Sequence, residues 1–282
     1  MNRRETEEKI FVFLMKVTTL MIVFIILLII GTIIVKGYRA ISFSMLFETP
    51  RGGYFLGKGG GILNAIAGSF YLAGGATAIA IIAGIPIVML MNVFLKKTSK
   101  FSSFIRLCFD VLWGVPSIVY GAFGFILMVL LGLSASLLAG IIIISILILP
   151  IVVRSIDEIS QTVPDGLIHA SLSLGATKLE TGMKVITRQI LPGILTAILI
   201  AFGRAIGDAA AVLFTAGYSD SVPKSLFDTV ATLPLAIFFQ LSSPIPEVED
   251  RAFAAALVLT FIVLCVSVCS RLLTNKYNKY KI

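Results

Sequence analysis

The chain has 282 residues, of which 58% are apolar and only 13% charged, and its mean hydropathy is +1.03. Soluble domains are about one quarter charged, so a water-soluble globule of this composition could not cover its surface, and a disordered chain would be biased the other way. An integral membrane protein remains, and the net charge of +8 becomes a question of which side of the bilayer carries it rather than a sign of nucleic acid.

In chain order, six runs reach the roughly 20 apolar residues that a spanning helix needs. They are Val17 to Val35, Phe70 to Leu95, Leu107 to Leu131, Leu133 to Val153, Pro192 to Gly217 and Ala252 to Leu272. The pattern predicts an all-α membrane protein with an N-terminal tail (1–16), a six-helix domain (17–272) and a C-terminal tail (273–282). The first run is too long for a signal-peptide core and lacks a small-residue cleavage site, so no cleaved leader is expected.

Most basic residues fall into four stretches, Arg3 to Lys16, Lys96 to Arg106, Arg154 to Arg188 and Arg271 to Lys281. The alternate connections hold only Lys36, Arg39, Arg51, Lys58, Lys224 and Arg251. This asymmetry and the even number of spans predict that both termini face the cytoplasm. Two connections exceed ordinary loop length, a cytoplasmic one over 154–191 and an outer one over 218–251; such lengths point to function or to helices of their own.

Catalytic chemistry is missing. Gly52-Gly53-Tyr54-Phe55-Leu56-Gly57-Lys58-Gly59 spells most of a P-loop, but Gly59 stands where the magnesium-binding hydroxyl belongs, and the stretch is predicted outside with no strand before it. No nucleophile with a base, metal-ligand cluster or paired carboxylates is found, so neither enzymatic activity nor a bound cofactor or metal is expected. Cys108, Cys265 and Cys269 lie in apolar runs and read as small hydrophobes, not as a disulfide or metal set.

Within the fifth run Arg204 and Asp208 are four apart, on one face of a continuous helix. Each costs about 2.5–3.5 kcal/mol at a bilayer centre on insertion scales, so both should face protein or water. They either serve a polar solute or form an ion pair that fixes helix packing. Gly203, Gly207 and Ala211 make a neighbouring small-residue stripe for close helix approach, whereas Asp110 suits the solvated end of the third span. Pro86, Pro116 and Pro150 interrupt spans two to four, and Trp113-Gly114-Val115-Pro116-Ser117 reads as a helix break, a device transporters use to line a cavity.

The 154–191 connection predicts two short helices. Pro164 suits a first turn, Asp165 the N-terminus, Gly175 a left-handed cap, and Thr177-Lys178-Leu179-Glu180 a capping box. Leu167, Ala170, Ser171 and Leu174 would present a small face to a partner or pack it on the chain's own membrane domain.

The run His169-Ala170-Ser171-Leu172-Ser173-Leu174-Gly175-Ala176-Thr177, continued to Ile190-Leu191-Pro192-Gly193-Ile194, resembles the EAA loop of ABC importer permeases. Gly60-Gly61-Ile62, Gly114-Val115-Pro116-Ser117-Ile118-Val119-Tyr120-Gly121, Arg204-Ala205-Ile206-Gly207-Asp208, Ala231-Thr232-Leu233-Pro234 and Ser242-Ser243-Pro244 are similar, more narrowly, to the phosphate permeases of that family. The chain departs from the family pattern at His169, where Glu is usual, at Thr187-Arg188, where Leu-Pro is usual, and at Asp208, where Glu is usual.

The resemblance implies a type I ABC importer permease in a bacterial inner membrane, moving inorganic phosphate by alternating access. Its implied partners are a homologous second permease, a cytoplasmic ATPase dimer that holds ATP and Mg, an extracytoplasmic phosphate-binding protein and membrane lipid. The implied site residues are Arg204 and Asp208 in the solute path, His169, Ala170, Ser171, Gly175, Ala176 and Thr177 at the ATPase, and Pro116 and Ser117 at the helix break. Rival readings are a permease for sulfate or molybdate, a proton-coupled carrier using Arg204 and Asp208, and a membrane scaffold.

Overall fold

A computed structural model describes residues 3–51, 59–95 and 99–278, with side chains described from 7 to 272 within those limits. Of the P-loop-like stretch 52–59, residues 52–58 lie outside the described residues.

The elements are α1 (Arg3–Ala40), α2 (Phe43–Phe47), α3 (Leu63–Met89), α4 (Lys100–Trp113), α5 (Ser117–Leu130) and α6 (Leu137–Gln161). After them come α7 (Asp165–Ser173), α8 (Lys178–Glu180), α9 (Thr187–Ile206), α10 (Leu233–Leu241) and α11 (Pro246–Asn278). Two π turns, Leu90–Phe94 and Thr181–Ile186, extend α3 and join α8 to α9. Among the described residues five helices are long and apolar enough to cross a membrane, and a bent pair makes a sixth.

The core is where α3, α6 and α9 meet, around Leu72, Ala76, Ile144, Ile148, Ile190 and Ala201. Lipid is as apolar as leucine, so close packing rather than water exclusion holds such helices together. Small residues mark the contacts: a Cβ on Gly84 would lie 2.9 Å from Val152, and one on Gly37 of α1 2.6 Å from the Phe253 carbonyl of α11. Lys36 ties α1 to α11 again, 3.1 Å from Glu249 and 4.5 Å from the centre of the Phe253 ring. A second core, with Met45, Leu233, Ala236 and Ala254, seats α10, whose first amide donates to Ser69 Oγ at 2.8 Å.

Three expectations are revised. The third run is not one straight span, because α4 and α5 meet at 95°. The bend sits at the predicted Trp113–Ser117 break, where Pro116 lacks an amide and holds its neighbour extended, and Tyr120 reaches back across it to the Leu112 carbonyl at 2.8 Å. Pro86 and Pro150, by contrast, lie inside uninterrupted helices. The fifth span's helix ends at Ile206, and 207–217 is turn.

Candidate solute path and coupling loop

Arg204 occupies the last turn of α9 and Asp208 lies just past its C-cap, Gly207. The predicted pair forms, though not along one helix: Arg204 Nη1 is 2.7 Å from Asp208 Oδ2. The Asp208 side chain is 2% exposed and that of Arg204 43%. Asp208 Oδ1 also accepts the Ala211 amide at 2.8 Å, so the carboxylate caps the turn that follows.

A broken backbone at membrane depth survives only if protein or water satisfies its polar groups, and here protein does so. The Leu213 amide donates to the Ala209 carbonyl at 3.0 Å, Ser136 to Thr215 at 3.0 Å and Val230 to Ala216 at 3.0 Å. Gly121 of α5 lies against this turn, where a Cβ would come 2.8 Å from the Ala210 carbonyl and 2.9 Å from that of Ala211. The expected stripe of Gly203, Gly207 and Ala211 is not assembled. Gly203 has nothing within 4 Å of its Cβ position, Gly207 ends the helix and Ala211 belongs to the turn. Gly68, against Ala231, and Gly121 make the close approaches instead.

In the connection after α6, α7 buries none of its residues. Pro164 is its N-cap rather than a first-turn residue, with Asp165 first in the helix. Gly175 has φ +85°, the left-handed cap the sequence predicts, and Thr177 and Glu180 close the capping box in both directions, at 3.2 and 3.0 Å. His169 and Ala170 are exposed and Leu174 is 89% exposed. Ser171 is half-buried, its hydroxyl 2.9 Å from that of the fully buried Thr181. Ala176 is partly buried, and Thr177 exposed.

The second helix of this loop does not stop. Residues Lys178–Ile206 run on as 29 helical residues, about 40 Å at the usual rise, from the capping box to Arg204. In place of the family's usual Leu-Pro, Thr187 bonds its hydroxyl back to the Gly182 carbonyl at 2.9 Å and the helix continues.

Asp157 was not singled out from the sequence. It is 1% exposed and accepts from Arg106 Nε of α4 at 2.8 Å, from Asn92 of the first π turn at 2.7 Å and from Gln161 at 2.7 Å. Gln161 is one helical turn away, but Arg106 and Asn92 are 51 and 65 residues away in the chain, so local spacing does not reveal the network.

The chain is similar to known proteins over most of its length. The family model of the binding-protein-dependent transport system inner membrane component matches residues 84–279. The chain is 32% identical over 273 residues to the phosphate transport system permease protein PstA of Haemophilus influenzae, covering 95% of this chain and 94% of that protein. It is 37% identical over 223 residues to PstA of Xylella fastidiosa, with 77% and 76% covered. Among solved structures, an inward-facing MetNI methionine ABC transporter chain matches with a TM-score of 0.61 at 18% identity, covering 76% of this chain and 95% of that one. A chain of a bacterial alginate ABC transporter complex matches with a TM-score of 0.63 at 12% identity, covering 99% and 98%. At those identities the structures speak for the fold alone. With a matching model over most of its length and PstA relatives over nearly all of it, the chain belongs to the family of binding-protein-dependent transport system inner membrane components.

Proposed function

We propose that this chain is one of two homologous permease subunits of an ATP-driven importer that moves inorganic phosphate into the cytoplasm. The observation that carries the reading is the half-exposed Arg204 guanidinium at a mid-membrane helix break, held from one side by a buried carboxylate. Guanidinium offers several donors in a planar fork, matched to phosphate oxygens; Asp208 occupies one, and among the described residues Arg204 has no second ion pair. The similarity to PstA proteins supports phosphate as the solute.

Both termini and the 154–191 connection lie in the cytoplasm in this reading, with 218–251 outside, as the basic-residue asymmetry supports. The unburied α7, with His169 and Ala170 exposed and Gly175 closing it, is the surface the ATPase engages. ATP-driven closure moves this loop, and the continuous helix from Lys178 carries the movement to Arg204. The break at Pro116 and Ser117 lets α5 pack on the Arg204–Asp208 turn through Gly121. Tight selectivity is left to an extracytoplasmic binding protein.

The test is uptake of radiolabelled phosphate by vesicles holding the complete complex and binding protein, with sulfate and molybdate as competitors. ATP-dependent phosphate uptake unaffected by either competitor is expected. Transport of sulfate or molybdate in preference to phosphate would overturn the solute assignment.

A further inference from the structure

The surface of α4 is sorted into three sides. Toward the bundle it turns Ser102, Ile105, Arg106 and Phe109; Ser102 is fully buried and its hydroxyl donates to the Met91 carbonyl at 3.0 Å. Away from the bundle, Phe101, Phe104, Leu107, Cys108 and Val111 form one contiguous exposed apolar arc, with Phe104 59% exposed. Beside that arc lie exposed Ser103 and Asp110, the latter 3.6 Å from Arg154. A helix at a boundary between water and hydrocarbon needs this division.

The position of α4 in the fold matches that boundary. From Leu137 to Asp157, α6 rises about 30 Å, which is about the thickness of the hydrocarbon core. At that end α6 turns polar with Arg154, Asp157, Glu158 and Gln161, and there α4 attaches through Arg106 to Asp157. α5 runs beside α6, with Gly124 against Ile143, and α4 is turned 95° from α5. A helix turned so far from one that runs along the spanning α6 lies along the bilayer surface.

From these observations we infer that α4 is a membrane-interface helix, its Phe101–Val111 arc immersed in the surface of the bilayer and its inner side latched to the permease by Arg106 and Asp157. The occupant of the exposed face is therefore lipid. Because Asp157 also holds Asn92 and lies one turn before the end of α6, the bilayer steadies the segment from which the 154–191 connection departs.

Trp113, at the end of α4, is the chain's single tryptophan, so a fluorophore can be moved around the helix. In a Trp113→Phe background, Phe104→Trp and Ser103→Trp would be compared in the assembled transporter, with tryptophans of the other subunits replaced by phenylalanine. The vesicles would be made of phosphatidylcholine brominated near the top of its acyl chains. Bromolipid should quench Phe104→Trp about threefold more strongly than Ser103→Trp, as for a shallowly immersed face, and aqueous iodide should reverse the order. Equal bromolipid quenching of the two, whether water or a neighbouring subunit covers Phe104, would overturn the proposal. Should a tryptophan variant fail to assemble, the native Cys108 can carry a spin label once Cys265 and Cys269 are changed to Ser. Greater accessibility to oxygen than to a water-soluble nickel complex is then expected, and the opposite order would reject the lipid contact.

Discussion

Asp208 lies beyond the end of α9 and still holds Arg204 of its last turn, Oδ2 to Nη1 at 2.7 Å, while its other oxygen takes the Ala211 amide at 2.8 Å. One buried carboxylate thus joins the cation to the backbone that follows the break. Arg204 is oriented, and part of its fork stays exposed.

If Arg204 serves phosphate, Arg204→Lys keeps the charge but loses the planar fork, so uptake falls sharply although the complex assembles. If the pair is only structural, Arg204→Lys is mild, Arg204→Ala harms assembly, and the double Ala change restores assembly and transport together. We expect the first pattern, measured as phosphate uptake beside complex yield. A transport-competent double Ala variant would remove Arg204 from the path.

Gly175 has φ +85° with nothing within 4 Å of its Cβ position, so any cost of a side chain there is conformational, not steric crowding. Gly175→Val strains the left-handed cap by about 1–2 kcal/mol and should lower both ATPase co-purification and transport while membrane insertion persists. Gly175→Asn, which tolerates this conformation better, should be milder. Normal transport by the Val variant would argue against a role for the cap in coupling.

Removing the Asp157 carboxylate leaves Arg106 and Asn92 without their shared partner. Asp157→Ala should destabilise the chain by about 3–5 kcal/mol, the usual result of breaking a buried pair. Thermal denaturation in detergent measures it, and pairing the change with Arg106→Ala should recover part of the loss. A single variant with unchanged stability would contradict the hub.

Gly121→Leu would drive a side chain into the Ala210 and Ala211 carbonyls. Transport should be lost together with the close fit of α5 on the turn, whereas Gly203→Ala, with open space at its Cβ position, should be tolerated. Uptake by the two variants at matched expression distinguishes them.

Energy for uptake comes from the partner ATPase. Vesicles containing this chain alone, given a pH gradient, should therefore accumulate no phosphate, and accumulation there would revive the proton-coupled reading.

Membrane class, the helix break at Pro116, the capping box and the left-handed Gly175 were all legible in the sequence. Each depends on neighbours within a few residues: apolar run length, a missing amide, a side chain reaching three positions along. The same locality explains the errors. Run length alone could not tell that α4 turns through 95°, because an interfacial helix and a spanning one can be equally apolar over a short stretch. Asp208 at four residues from Arg204 looked helical, yet the chain leaves the helix at Gly207, where the Ala211 amide, Gly121 and the Ser136 and Val230 amides satisfy or accommodate the open backbone. The Asp157 network joins positions as much as 65 residues apart. Only the packed bundle could decide these features, since they depend on which distant groups arrive to satisfy a charge or an amide that the bilayer cannot.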